Sequence, residues 1–156
     1  MIKVLFVCLG NICRSPMAEA MFRDLVKREG LEEHISIDSA GTGDWHIGHP
    51  PHEGTRELLT RKGISYEGMK ARQMVAEDYD NFQYIIAMDA SNMENMKNWL
   101  QGQTDAYVGR LLDLVPEVEN KDVPDPYFTG DFDEVHDLVE QGCQALLQKI
   151  KNENNL

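Results

Sequence analysis

Apolar residues open the chain almost without a break, Ile2, Val4, Leu5, Phe6 and Val7 being interrupted only by Lys3. A short branched run of this kind, without alternation, predicts a strand buried on both faces of a parallel sheet. It leads into Cys8-Leu9-Gly10-Asn11-Ile12-Cys13-Arg14-Ser15-Pro16. Gly10 and Asn11 suit a tightly curved loop, and Ser15 as N-cap with Pro16 as first helical residue predicts that the loop turns into a helix. Met17, Ala20, Met21 and Leu25 then recur at helical spacing, with Arg23, Asp24, Lys27 and Arg28 on the outer side, as far as Gly30.

Further along, Ile35 to Ser39 alternates and predicts a second parallel strand, ending in the corner Ala40 to Gly43. Asp44 to His52 carries too many turn residues for a regular element. Glu53 to Lys62 predicts a helix with Leu58 and Leu59 inward and Gly63 at its end. Phe82 to Met88 predicts a strand, Asn92 to Leu100 a helix with Met93, Met96 and Leu100 in the core, and Arg110 to Val115 a last short strand stopped by Pro116. From Phe132 onward, Val135, Leu138, Val139, Cys143, Leu146, Leu147 and Ile150 keep a 3.6-residue period and predict a long final helix. The polar tail Lys151 to Leu156 is expected to fray. Strands alternating with helices over 156 residues, with no linker or repeat, indicate an α/β fold in one domain, residues 1–156.

Composition narrows the partners. A formal net charge of -12 disfavours nucleic acid and anionic membrane surfaces. Ten acidic residues lie between Asp113 and Glu140 against the single Lys121, a pattern that reads mainly as a solvated face. The three cysteines, two of them close together, do not form a disulfide framework, and no apolar stretch is long enough to cross a bilayer or serve as a signal peptide. A cytoplasmic protein, monomeric or weakly self-associating, is expected.

The chemistry concentrates in the first loop. Consecutive backbone N–H groups and the positive end of a helix form a concavity for an oxyanion, and the same field favours an anionic sulfur at Cys8. Arg14, six residues on, can curl back to present its planar fork to two phosphate oxygens. A nucleophilic sulfur under a phosphate-shaped nest implies in-line attack on phosphorus and a phosphocysteine intermediate. Zinc is disfavoured, because Cys-x4-Cys has no second ligand pair. His46, His49 and His52 invite a metal reading too, but a Pro-Gly loop gives them no common face. Asp125, between Pro124 and Pro126 and beside Tyr127 and Phe128, is a rigid carboxyl suited to proton donation. Spacing alone leaves Ser39 as a strand terminator or a loop support, and Trp45 as a core anchor or a wall of the site. Asp89, at the end of its strand, is read as a helix cap, with an ion pair to Lys70–Arg72 as the alternative.

Val7 to Pro16, placed at the start of the chain, together with Asp125-Pro126-Tyr127 resembles the low-molecular-weight protein tyrosine phosphatases over essentially the whole length. The resemblance implies a three-layer sandwich on a four-stranded parallel sheet and metal-independent hydrolysis of aryl phosphomonoesters, without a cofactor. It also implies a tyrosine-phosphorylated protein or peptide as substrate. Cys8, Arg14 and Asp125 would be catalytic, and Leu9, Gly10, Asn11, Ile12, Cys13, Ser15, Trp45, Tyr127 and Phe128 would bind substrate. Ser39 would support the loop, and Ser15 would stabilise the departing thiolate. Lys70-Ala71-Arg72-Gln73 also resembles the family, which often has histidine where this chain has Met69. Relatives acting on phosphoarginine tend to carry Thr in place of Ile12, so Ile12 favours phosphotyrosine over a protein arginine phosphatase. An arsenate reductase would need a mobile resolving cysteine, and Cys143 is expected on a buried helical face. A phosphopeptide-binding module without activity would have no use for Cys8, Arg14 and Asp125 together. Cys13, in the same loop as Cys8, makes a protective disulfide available on oxidation.

Overall fold

The computed structural model describes all residues from Met1 to Leu156. β1 (Ile2–Cys8) lies at the centre of a four-stranded parallel sheet with β2 (Ile35–Gly41), β3 (Tyr84–Ala87) and β4 (Tyr107–Arg110), in the order β2-β1-β3-β4. Its side chains alternate between two cores. Val4, Phe6 and Cys8 point to the larger one, under α1 (Arg14–Arg28), α2 (Glu53–Arg61) and α6 (Phe132–Asn154). Leu5 and Val7 point to the smaller one, with Tyr79 of α3 (Asp78–Asn81), Ile85, Met74 and Met96 of α4 (Ala90–Met96). Both faces of β1 are therefore covered, which is why its sequence is apolar rather than alternating. Each fully buried Leu or Phe contributes about 1.5–3 kcal/mol.

The chain leaves β1 towards β2 on one side and returns to β3 on the other, so the carboxyl ends of β1 and β3 form the crevice where open α/β sheets place ligands. Cys8 ends β1, and Asp89 follows β3 by two residues.

Several boundaries differ from the sequence expectation. The first helix begins at Arg14, with Cys13 as N-cap and no side-chain cap, so Ser15 and Pro16 lie inside the first turn. Ser15 is not free to cap, because its hydroxyl is engaged with Cys8 and Asn11. Residues 111–114, expected as strand, form a 3₁₀ turn, and β4 precedes them. The Asp113 carboxylate accepts from the Arg110 N–H and closes the turn, while Leu111 and Leu112 are buried beneath α6. A four-residue segment, three leucines with Asp113 among them, carries no period long enough to separate the two outcomes. β2 extends two residues further than expected, to Gly41. β3 is shorter than Phe82–Met88, and α4 gives way to a 3₁₀ turn over Lys97–Trp99. The final helix runs on through Lys151 to Asn154 instead of fraying, because the Tyr84 hydroxyl bonds to both Glu153 and Asn154.

Candidate active site

Residues Leu9 to Cys13 turn tightly between β1 and α1, with Asn11 in the left-handed region at φ 56°. Outside partners take four of the loop carbonyls. Thr42 N–H donates to Cys8 O, Gly43 N–H to Leu9 O, His52 N–H to Ile12 O and the Thr55 hydroxyl to Cys13 O. The N–H groups of Leu9, Gly10, Ile12, Cys13, Arg14 and Ser15 bond to no other protein group. With the carbonyls tied back, the donors form a nest for an anion at the head of a fifteen-residue helix. The Asn11 N–H donates instead to Cys8 Sγ at 3.3 Å, and the Ser15 hydroxyl lies 2.9 Å from the same sulfur.

Arg14 is almost wholly buried, yet it is well partnered. Its Nη1 donates to Asp89 Oδ2 at 2.6 Å and to the Val123 carbonyl at 2.9 Å, and Nη2 faces Asp125 Oδ2 at 3.4 Å. Burial opposes its charge, but the negative charges of Cys8, Asp89 and Asp125 outweigh that cost and push the guanidinium pKa up. Asp89 does cap α4, as expected, through a bond from Asn92 N–H to Oδ1. Its ion pair is with Arg14, not with the Lys70–Arg72 segment, whose Arg72 pairs with Asp38 and Asp78. Its place beside β1 in the switch crevice was the available signal.

Asp125 caps α5 (Pro126–Thr129), accepting from Tyr127 N–H at 3.0 Å through Oδ1 and leaving Oδ2 turned to the crevice. Cys8, Leu9, Gly10, Ile12, Cys13, Arg14, Trp45, His46, Asp125, Tyr127 and Phe128 line one cleft of about 360 Å³. Trp45, Tyr127 and Phe128 are 65%, 55% and 76% exposed and form its apolar rim. Gly43 permits this, since a Cβ there would lie 1.8 Å from the Trp45 ring. The floor is Cys8, 3% exposed. Burial, then the negative charges of Cys8 and Asp125, push the Cys13 thiol up to about 12.

The side chains of Asn11, Ser15 and Ser39 do not line the cleft; they form a hydrogen-bonded layer behind it. His46, by contrast, lines it, a role hidden by the metal reading of the three histidines. His46 packs against His49 and Tyr127, His52 against Tyr127 and Phe132, and His52 Nδ1 accepts from Gly54 N–H to cap α2. Met69, in the position where the family often has histidine, packs into the larger core. Cys143 is buried on α6, and burial pushes its thiol far up, out of reach for a redox relay.

A family model described as low molecular weight phosphotyrosine protein phosphatase matches residues 3–156. The chain belongs to this family. Its chemistry is accordingly the cysteine-dependent hydrolysis of protein phosphotyrosine. The low-molecular-weight protein-tyrosine-phosphatase YfkJ of Bacillus subtilis is 56% identical over the full length of both chains, and its crystal structure superposes with a TM-score of 0.96 over 99% of this chain and 97% of that one. PtpA of Staphylococcus aureus is 44% identical, covering 100% of this phosphatase and 98% of its own length. A Drosophila protein described as an arginine phosphatase is 35% identical, with a TM-score of 0.88 over 96% of this chain and 98% of that one.

Proposed function

We propose that this phosphatase acts on tyrosine-phosphorylated proteins or peptides in two steps, with Cys8, Arg14 and Asp125 as the catalytic residues. The Cys8 thiolate attacks phosphorus while Arg14 and the loop N–H groups of Leu9, Gly10, Ile12, Cys13, Arg14 and Ser15 hold the equatorial oxygens. As the P–O bond breaks, the Asp125 carboxyl passes its proton to the leaving phenolate. Water then attacks the phosphocysteine and gives a proton to the Asp125 carboxylate; the P–S bond breaks, and Ser15 and the Asn11 N–H receive the returning thiolate. Nucleophile, acid and positive charge are all side chains of the protein, so the scheme calls on no cofactor.

The observation that carries this reading is the position of Cys8 Sγ. It accepts from the Asn11 N–H and lies 2.9 Å from the Ser15 hydroxyl, at the floor of a cleft with Asp125 in its wall and an apolar aromatic rim. A planar aryl phosphate fills such a slot with its ring between Trp45 and Tyr127, whereas phosphoserine is too short to bring phosphorus to the sulfur. Phosphoarginine is the second reading, because the fold is shared with the Drosophila protein described as an arginine phosphatase. Ile12 lines the cleft here and offers that polar group no partner, which favours phosphotyrosine.

The proposal extends to a single domain over residues 1–156, working in the cytoplasm as a monomer or weak self-associate, without nucleic acid or membrane partners. The charge of -12 speaks against nucleic acid and anionic membrane partners, and no helix is long and apolar enough to cross a membrane. A panel of matched phosphotyrosine and phosphoarginine peptides, with Cys8→Ser as the blank, tests the reading. Higher kcat/KM on phosphotyrosine is expected, together with phosphate binding but no turnover by Cys8→Ser. Higher kcat/KM on phosphoarginine overturns the substrate, and turnover by Cys8→Ser overturns the nucleophile.

A further inference from the structure

The layer behind the loop ends on a charged group that the two-step scheme does not use. Glu19 lies on α1 one turn beyond Ser15 and is only 5% exposed. Its Oε1 accepts from the Ser39 hydroxyl at 2.6 Å, and its Oε2 accepts from Arg23, one helical turn further on. Burial pushes the Glu19 carboxyl pKa up and nearby Asp38 adds to the rise, while Ser39 and Arg23 pull it back. A carboxylate this deep is costly unless donors meet both oxygens, and here they do.

From Glu19, every proton in the layer has one direction. Arg72 N–H donates to Asn11 Oδ1 at 3.0 Å, which identifies the other end of that amide as its NH₂. The NH₂ donates to Ser15 Oγ at 2.7 Å and to Ser39 Oγ at 2.9 Å. Ser39 thus accepts from Asn11 and gives its only proton to Glu19. Ser15 likewise accepts from Asn11, and Cys8 Sγ, 2.9 Å away, is the remaining side-chain partner for its proton.

We propose that Glu19, held by Arg23, is a positioning residue for the nucleophile: by accepting from the Ser39 hydroxyl it keeps Asn11 in place and the Ser15 hydroxyl as a donor to the Cys8 thiolate. The inference rests on Cys8 being the nucleophile. Without an acceptor at position 19, the Ser39 hydrogen is free to turn towards the Asn11 NH₂, donor against donor, and the support behind Asn11 loosens. Met69 closes the small cavity beside Asn11, Glu19 and Ser39 and has no proton to donate. The positive charge that ends this network comes from Arg23 instead.

An amide at position 19 separates this role from simple space filling. Glutamine has a single acceptor oxygen, and the charged Arg23 claims it, turning the NH₂ to Ser39. With Arg23 also replaced by methionine, the oxygen is free to turn back. Arg23 is half-exposed, so that change leaves the core closed.

The test measures Cys8 alkylation by iodoacetate against pH, kcat and KM for p-nitrophenyl phosphate, and Tm. In Glu19→Gln the alkylation midpoint is expected to move up by about one pH unit and kcat to fall about tenfold, the effect of one hydrogen bond to a charged group, with KM within about twofold. Glu19→Gln/Arg23→Met is expected to regain most of both. A wild-type alkylation midpoint in Glu19→Gln, or a double variant no better than the single one, overturns the inference. If Glu19→Gln does not fold, Ser39→Ala removes the same link from the other side, and an unshifted midpoint there overturns it equally. Alkylation of wild-type Cys8 that leaves activity intact would instead overturn the reading of Cys8 as nucleophile, whatever Glu19 does.

Discussion

Asp125 divides its carboxylate between two tasks, turning Oδ1 to the Tyr127 N–H at 3.0 Å and Oδ2 to Arg14 Nη2 at 3.4 Å. The candidate proton donor and the candidate phosphate clamp therefore hold each other. Asp125→Ala should lower kcat by about 10²–10⁴-fold, most for substrates with poor leaving groups, as loss of a general acid does. It also releases one end of Arg14, so inorganic phosphate should bind at least as tightly as to the wild type. Leaving-group dependence of kcat and calorimetric titration of phosphate check the two halves.

Arg14 also depends on a residue remote in sequence. Asp89→Asn keeps an N-cap for α4, because asparagine caps as well as aspartate, but removes the charge facing Nη1 at 2.6 Å. Activity should fall about tenfold or more, the cost of a hydrogen bond to a charged group, with Tm nearly unchanged. Steady-state kinetics beside thermal unfolding separates this from general destabilisation.

The rim of the cleft rests on a glycine. Gly43→Ala places a methyl group where the Trp45 ring now lies and must swing the indole aside. KM for aryl phosphates should rise by about threefold to tenfold, in the range set by losing one aromatic contact. Gly43→Ala/Trp45→Ala should be no worse than Trp45→Ala alone, since the two changes act through the same ring. Additive losses in that cycle would show that Gly43 acts on the loop rather than on Trp45.

Cys13 is held as a thiol by burial and by the negative charge of Cys8, with its pKa pushed up to about 12. Oxidation of Cys8 by peroxide to a sulfenic acid removes that negative charge and favours the Cys13 thiolate, which can then attack the Cys8 sulfur and form a disulfide, expelling hydroxide that takes up the proton lost by Cys13 and leaves as water. The step should quicken as pH rises, because more Cys13 is then thiolate. Cys13→Ser should keep most activity when reduced but recover poorly with thiol after peroxide. Recovery equal to the wild type would remove Cys13 from the protective role.

Gly142 lets α6 approach the buried 3₁₀ turn, since a Cβ there would lie 2.3 Å from Leu111 Cγ. Gly142→Ala gains helix propensity but overpacks the core, at a net cost of about 1–3 kcal/mol. A fall in Tm is expected with kcat of the folded fraction unchanged, as read by calorimetry and active-site titration.

The sequence by itself determined what is local. The unbroken apolar run of β1, the curvature at Gly10 and Asn11, the distance from Cys8 to Arg14 and the prolines around Asp125 are each set within a few residues. Cys8, Arg14 and Asp125 could therefore be put forward as candidate nucleophile, clamp and acid before any contact was known. The period of α6 was equally plain, because a helix repeats its pattern many times, whereas the four-residue run Leu111–Leu114 could not distinguish a strand from a turn. Only the tertiary structure decided which charges meet. Asp89 reaches Arg14 because β3 lies beside β1, and Glu19 is linked to Cys8 through Ser39, Asn11 and Ser15, across β2 and the loop. Ion pairs and proton directions of this kind depend on strand order and on separations of a few ångströms, which residue spacing along the chain does not encode.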